Sequence, residues 1–165
     1  MSAALERSPT SLTLDRHLAI AGSAAACFAR LWQRLWLQPY LSAELLEMCR
    51  LSLARLHRDA LESAAHNPHL PAAALSPERR ASVLAGDSQR SPLFSPKEKA
   101  VLHFCECYAL DAQSIADEVA DEAKAHLGEA GLVFLIEALG CLDGRIRTAR
   151  CLRDLAQAEG AAGGE

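Results

Sequence analysis

The sequence predicts an all-α fold, a bundle of about six to seven helices, on three observations. Ala (32) and Leu (27) dominate the 165 residues, whereas Val, Ile and Thr contribute only 4, 4 and 3. β-Branched residues lose rotamer freedom in helices and pack well in sheets, so this balance disfavours a sheet. Apolar residues recur at i, i+3 and i+4 in several separate stretches, and Ser-Pro pairs and glycines fall where such helices would start and stop.

Taken in order, residues 1–12 lack periodicity and are expected to be a flexible N-terminus, with a single helical domain over 13–158 and a flexible Gly/Ala tail over 159–165. A first helix is expected from Leu14 to Leu37, with Thr13 as its N-cap and Pro39 ending it. Arg16 and His17 before the run Leu18–Ala26 loosely resemble a lipoprotein leader. Helical spacing of Leu14, Leu18, Ala21, Ala25, Phe28, Leu31 and Leu35 straight through the supposed cleavage point favours an amphipathic helix instead. A second helical stretch starts after Ser42 and runs to Ala64 without a Gly or Pro, ended by Asn67-Pro68.

Ser76-Pro77 opens a short helix closed by Gly86. Ser95-Pro96-Lys97-Glu98 is a capping box, after which Val101, Phe104, Cys105 and Tyr108 form a buried stripe. Ile115, Val119, Ala123 and Leu127 form the next stripe, ended by Gly128. Leu132–Leu142 is almost wholly apolar and is expected to be the central buried helix, kinked or broken by Asp143-Gly144 before Arg145–Ala158.

Composition narrows the function classes. The formal net charge is -4, with no block of five or more Lys/Arg, which makes nucleic acid an unexpected partner. The longest stretch free of charges and amides, Leu18–Ala29, falls short of the roughly 20 residues a membrane span needs, so a soluble cytoplasmic protein is expected. Cys27, Cys49, Cys105, Cys107, Cys141 and Cys151 show no Cys-x-x-Cys or metal-type spacing and are expected to be buried free thiols, with Cys105 and Cys107 pointing to opposite sides of a helix.

The residues that could carry chemistry lie in the second helical stretch. Asp59, Glu62 and His66 at i, i+3 and i+7 share one helical face, a pattern open to acid/base work, metal ligation or simple hydration. Were Glu47–His66 one straight helix, the two would lie about 28 Å apart. As a metal set Asp59, Glu62 and His66 would suit Mn, Fe or Zn only weakly, and His17, His57, His69, His103 and His126 show no ligand spacing to one another.

At these residues the chain resembles the alkylhydroperoxidase D-like and carboxymuconolactone decarboxylase-like superfamily, marked by a Glu, eleven residues, Cys-x-x-Cys, three residues and a His. Glu47, Asp59, Glu62 and His66 stand at those positions without a gap. Leu75-Ser76-Pro77-Glu78, the Leu93–Leu102 segment and the apolar helix trailed by Arg145 are similar to further family elements.

The resemblance implies an alkylhydroperoxidase D-like bundle that self-associates as dimer, trimer or hexamer, with Trp32, Leu35 and Trp36 as candidate contacts. With Asp59 and Glu62 on the cysteine positions, thiol peroxidase activity is not expected. Glu62-x-x-x-His66 is similar to the decarboxylase branch and implies a cofactor-free acid/base catalyst on a small carboxylated substrate. In that reading His66 is the acid/base, Glu62 its partner, Glu47 the orienting group and Asp59 an accessory, while Arg145, with Arg147 and Arg150 near it, binds the substrate carboxylate. The alternative is a non-catalytic member that kept the scaffold and binds a small ligand or only assembles.

Overall fold

The computed structural model describes residues 8–71 and 73–162, and side chains to residue 158. Residues 1–7, the largest part of the expected flexible N-terminus, lie outside the described residues, as do the side chains of the expected tail. The described residues form an all-helical bundle of seven α-helices: α1 (Asp15–Leu18), α2 (Ser23–Leu35), α3 (Ala43–Leu56), α4 (Ala60–Ala64), α5 (Pro77–Ala85), α6 (Pro96–Asp111) and α7 (Asp117–Ala162), with a 3-10 turn at Ala19–Ala21.

The start signals act through their own chemistry. The hydroxyls of Ser42, Ser76 and Ser95 accept hydrogen bonds from the amides of Leu45, Arg79 and Glu98, satisfying donors that the first helical turn leaves free. Glu98 reaches back to the Ser95 amide and completes the capping box, and Gly86 ends α5 in the left-handed region at φ 77°.

Four expectations need correction. The first helix is not continuous: Gly22 at φ 71° separates the short α1 and its 3-10 turn from α2, and Leu14, not Thr13, stands at the N-cap, where no side chain caps. Of the expected face only Leu14 and Leu35 are buried, while Leu18, Ala25 and Phe28 are half-buried and Ala21 and Leu31 exposed. The second stretch also breaks, between His57 and Asp59, without glycine or proline. Arg58 itself takes the left-handed conformation at φ 54°, and the Asp59 carboxylate then caps α4 by accepting from the Glu62 amide at 3.0 Å. The third correction concerns α7, which runs unbroken through Asp143-Gly144 and departs from helical geometry only at Gly128, φ 72°.

The fourth is the identity of the central helix. Every residue from Leu45 to Ala54 of α3 is buried, and α3 packs against α4, α5, α6 and α7. In α7 only one side is buried, through Leu135, Ala138, Leu139, Leu142, Ile146 and Ala149, whereas Val133 and Ile136 are exposed. α7 is long and apolar enough to cross a membrane by length and composition, and its buried side serves the core. Trp32, Leu35 and Trp36 also lie in the core rather than on a contact surface.

A left-handed non-glycine residue carries a cost of roughly 1–2 kcal/mol. Arg58→Gly is therefore expected to raise the unfolding free energy by about 0.5–1 kcal/mol, the relief exceeding the added entropy of the unfolded chain. Urea unfolding checks it, and a loss of stability would mean that Arg58 makes a contact worth more than the strain.

Candidate functional site

The break at Arg58 folds α4 back along α3, which brings Glu62 to the level of Glu47 and Arg50. The Arg50 side chain has no solvent exposure and spends its guanidinium on both carboxylates. Its Nε and Nη2 donate to Glu47 at 2.8 and 2.6 Å, and its Nη1 donates to the Glu62 carboxylate at 2.6 Å and to the Glu62 carbonyl at 2.8 Å. The remaining Nη2 proton faces the Ala65 carbonyl at 3.4 Å. A guanidinium out of water needs its donors satisfied, and here every one has an acceptor. Burial alone would push Arg50 down, but hydrogen bonding and charge from Glu47, then Glu62, outweigh it and hold the group above its ordinary value.

Both carboxylates are likewise occupied. Glu47 also accepts from Asn67 Nδ2 at 2.7 Å, and Arg80 Nη1 stands 3.6 Å away. Glu62, with no exposed surface, accepts from the Ser11 amide at 2.7 Å and from the Ser11 hydroxyl. Asp59 pairs with the buried Arg153, which also donates to the Pro9 carbonyl.

Ser11 belongs to the segment expected to be flexible, yet Ser11 and Leu12 are buried and the segment straps the charged layer. Arg145 completes the strap: Nε donates to the Ser11 carbonyl at 2.9 Å and Nη1 to Asp15 at 2.7 Å, while the guanidinium lies 4.2 Å from the Trp32 ring centroid. Arg145 is therefore not presented to a substrate. Burial pushes its guanidinium down, and the Asp15 hydrogen bond and charge oppose that shift. Arg147 and Arg150 are exposed and donate to Asp143 and to the His57 carbonyl.

His66 is exposed, and among the described residues no hydrogen bond joins it to Glu47, Asp59 or Glu62. It lies between two clefts. One, of about 500 Å³, is lined by Glu47, His66, Asn67, Arg80 and the apolar side chains of Leu70, Pro71, Leu75 and Pro77. The other, of about 530 Å³, is bordered by Thr10, Thr13, Asp15, Arg16 and Pro68. The expected constellation thus splits: Glu47, Asp59 and Glu62 join one charged layer, while His66 shares only a cleft with Glu47.

Asp59, Glu62 and His66 do not converge as metal ligands, and no group of three such side chains able to hold a metal occurs among the described residues. The thiols provide no substitute nucleophile in the core. Cys49 and Cys105 are buried, and hydrogen bonding to Cys49 together with burial pushes the Cys105 thiol well up. Cys27 and Cys151 are exposed, contrary to the expectation that all six are buried.

His69 couples this region to pH. It stacks on Trp36 with centroids 5.3 Å apart, and burial, then the charge of Arg145, lowers its pKa below the ordinary 6.5 against a weaker opposing effect of Asp15. The unfolded chain then binds more protons than the folded one below that value, so stability falls as pH drops from about 6.5 toward the folded pKa. His69→Phe is expected to flatten this part of the profile in urea titrations between about pH 7 and about pH 5. An unchanged slope would assign the dependence to other groups.

Sequence reasoning missed Arg50, Ser11, Asn67, Arg153 and Asp15. Arg50 alone had a local signal, being three residues after Glu47 inside an apolar run, where an unpaired charge would be too costly to bury. Compared with protein-family models, with curated proteins and with solved structures, the chain matches none.

Proposed function

We propose that this chain is a carboxymuconolactone decarboxylase-like protein on an alkylhydroperoxidase D-like bundle that binds a small molecule without turning it over. The observation that carries this reading is the state of Glu62: it has no solvent exposure, and both its oxygens are taken by Arg50 and Ser11. A general acid or base must come within hydrogen-bond reach of the proton it moves, directly or through one water. Glu62 has no such path, so the family positions at Asp59 and Glu62 serve here as structural ion pairs. Thiol peroxidase chemistry is absent from the proposal because those two positions carry carboxylates.

The ligand site in this reading is the cleft of about 500 Å³ beside Glu47. Its apolar walls with Arg80 and His66 at the polar side suit a small, mainly apolar molecule carrying a carboxylate. The reading needs no cofactor and places the protein in the cytoplasm. A second reading, acid/base catalysis, is favoured by one observation: the exposed His66 and the buried Glu47 border that same cleft.

Small carboxylated lactones and hydroxy acids titrated into isotope-labelled protein test both. Amide shifts are expected at Ala64, Ala65, Leu70, Ala73 and Leu75, which line the cleft, with the added molecule left unchanged. Product formation that His66→Ala abolishes at an unchanged melting temperature would overturn the first reading in favour of the second. A panel giving neither shifts nor product would reject both.

A further inference from the structure

We infer that the segment Pro9–Leu14 is a lid, hinged at Gly22 and latched by Arg145 and Arg153, that keeps Glu62 out of the ligand site while closed and admits it when lifted. What the lid guards rests on the proposed reading of the cleft; the lid itself rests on the packing of the chain. Pro9, Ser11, Leu12 and Leu14 are buried. Beyond them α1 and the 3-10 turn bury no residue, and this connector ends at Gly22, whose φ 71° and ψ -142° suit glycine alone. A Cβ there would meet nothing within 4 Å, so the backbone conformation and not packing makes the demand. The main backbone contacts of α1 and α2 run to each other and to the 3-10 turn, whereas α3 packs directly against α4, α5, α6 and α7. A segment seated by a few side chains and followed by an unburied connector opens at lower free energy than the helices it covers.

The latches are polar and reach across from α7. Arg145 holds the Ser11 carbonyl and Asp15, and Arg153 holds the Pro9 carbonyl. On its inner side the lid delivers two donors to one carboxylate: the Ser11 amide donates to Glu62 Oε2 at 2.7 Å, and the Ser11 hydroxyl shares Oε1 with Arg50 Nη1. Lifting the lid therefore frees Oε2 and leaves Oε1 on Arg50, a carboxylate still oriented by its cation but open on one side. That opening faces the ligand site. Thr10 and Leu12, the neighbours of Ser11, line the cleft of about 530 Å³ together with Ala65 and His66, and the last two also line the cleft of about 500 Å³ beside Glu47. With the lid up, Glu62 and His66 border one continuous space; with it down, the chain binds its ligand with Glu62 withheld.

Carboxyl labelling of the full chain with a water-soluble carbodiimide and an amine, read residue by residue by mass spectrometry, tests the lid without any ligand, so its outcome is separate from whether the cleft binds. Glu47 is the internal control, nearly as buried as Glu62 but held by Arg50 and Asn67 rather than by the lid. Gly22→Ala puts a Cβ on a conformation that only the closed form demands, and is expected to speed Glu62 labelling about tenfold with Glu47 unchanged. Leu12→Asp unseats the lid from within and is expected to act in the same direction more strongly. In the wild type the Ser11 amide is expected to exchange at least about tenfold faster than the amides of α3, a measurement that decides even where Leu12→Asp does not fold. Three results would overturn the inference: Glu62 labelling that Gly22→Ala or a folded Leu12→Asp leaves unchanged, Glu62 and Glu47 accelerated together, or Ser11 exchange as slow as that of α3. The last would mean that the segment opens only when the whole protein unfolds.

Discussion

Replacing Arg50 with Met is expected to lower the unfolding free energy by about 3–5 kcal/mol, the largest single effect in this molecule. Arg50 is fully buried and is the cation between Glu47 and Glu62, themselves 3% and 0% exposed. Methionine fills much of the same volume but leaves two carboxylates in the core, with Ser11 and Asn67 as their remaining close donors. The Glu62 and Ala65 carbonyls lose a donor as well. Urea unfolding followed by the fluorescence of the buried Trp32 and Trp36 gives the value. A loss below about 1 kcal/mol would mean that water enters the layer and solvates the carboxylates, as at a surface pair.

Arg145→Met is expected to cost about 3 kcal/mol, combining an unsatisfied Ser11 carbonyl with the loss of a desolvated guanidinium–indole contact. The effect has a location. Arg145 holds Ser11 and Asp15, so hydrogen exchange is expected to accelerate at Ser11–Asp15 before it does in α3 or α6. A substrate-binding arginine would behave in the opposite way, leaving stability almost unchanged on replacement. Unaltered exchange in the Ser11–Asp15 segment would contradict the strap.

The helices were legible because their signals are local. Ser76-Pro77, Ser95-Pro96 with Glu98, and the glycines at 86 and 128 act within one turn of their own positions, and each acts as its chemistry requires. The break at Arg58 was illegible in the usual sense, since no glycine, proline or asparagine marks it, and an exposed basic residue takes the left-handed position that the Asp59 amide closes by donating to the Ala54 carbonyl at 2.9 Å. A readable trace existed on its far side, where Asp59 and Glu62 have the spacing of an N-cap and its third helical residue, the sign of a new helix start.

The buried side of α7 was overdrawn for a different reason. A run of apolar letters says that a helix has apolar faces, not that each face is covered within one chain. Glu47, Asp59 and Glu62 were found by spacing, and they do gather in one layer. Their distant partners were not, because Ser11 and Arg153 reach that layer from opposite ends of the chain, and nothing local to those residues encodes the meeting. His66 kept the right spacing but follows Ala65, whose extended backbone ends α4 and leaves the imidazole at the surface.

The central claim, that Glu47 and Glu62 are structural partners of the buried Arg50, is tested most directly by a double-mutant cycle at Arg50 and Glu62. The folding free energies of Arg50→Met, Glu62→Gln and the double variant isolate the pair, provided each single variant adds no new contact. The expected result is strong coupling: the double variant loses less than the sum of the singles by about 1.5–3 kcal/mol, because neither charge is then left alone. Additive losses, or a Glu62→Gln protein as stable as the wild type, would contradict the account and return Glu62 to the set of groups free to act on a substrate.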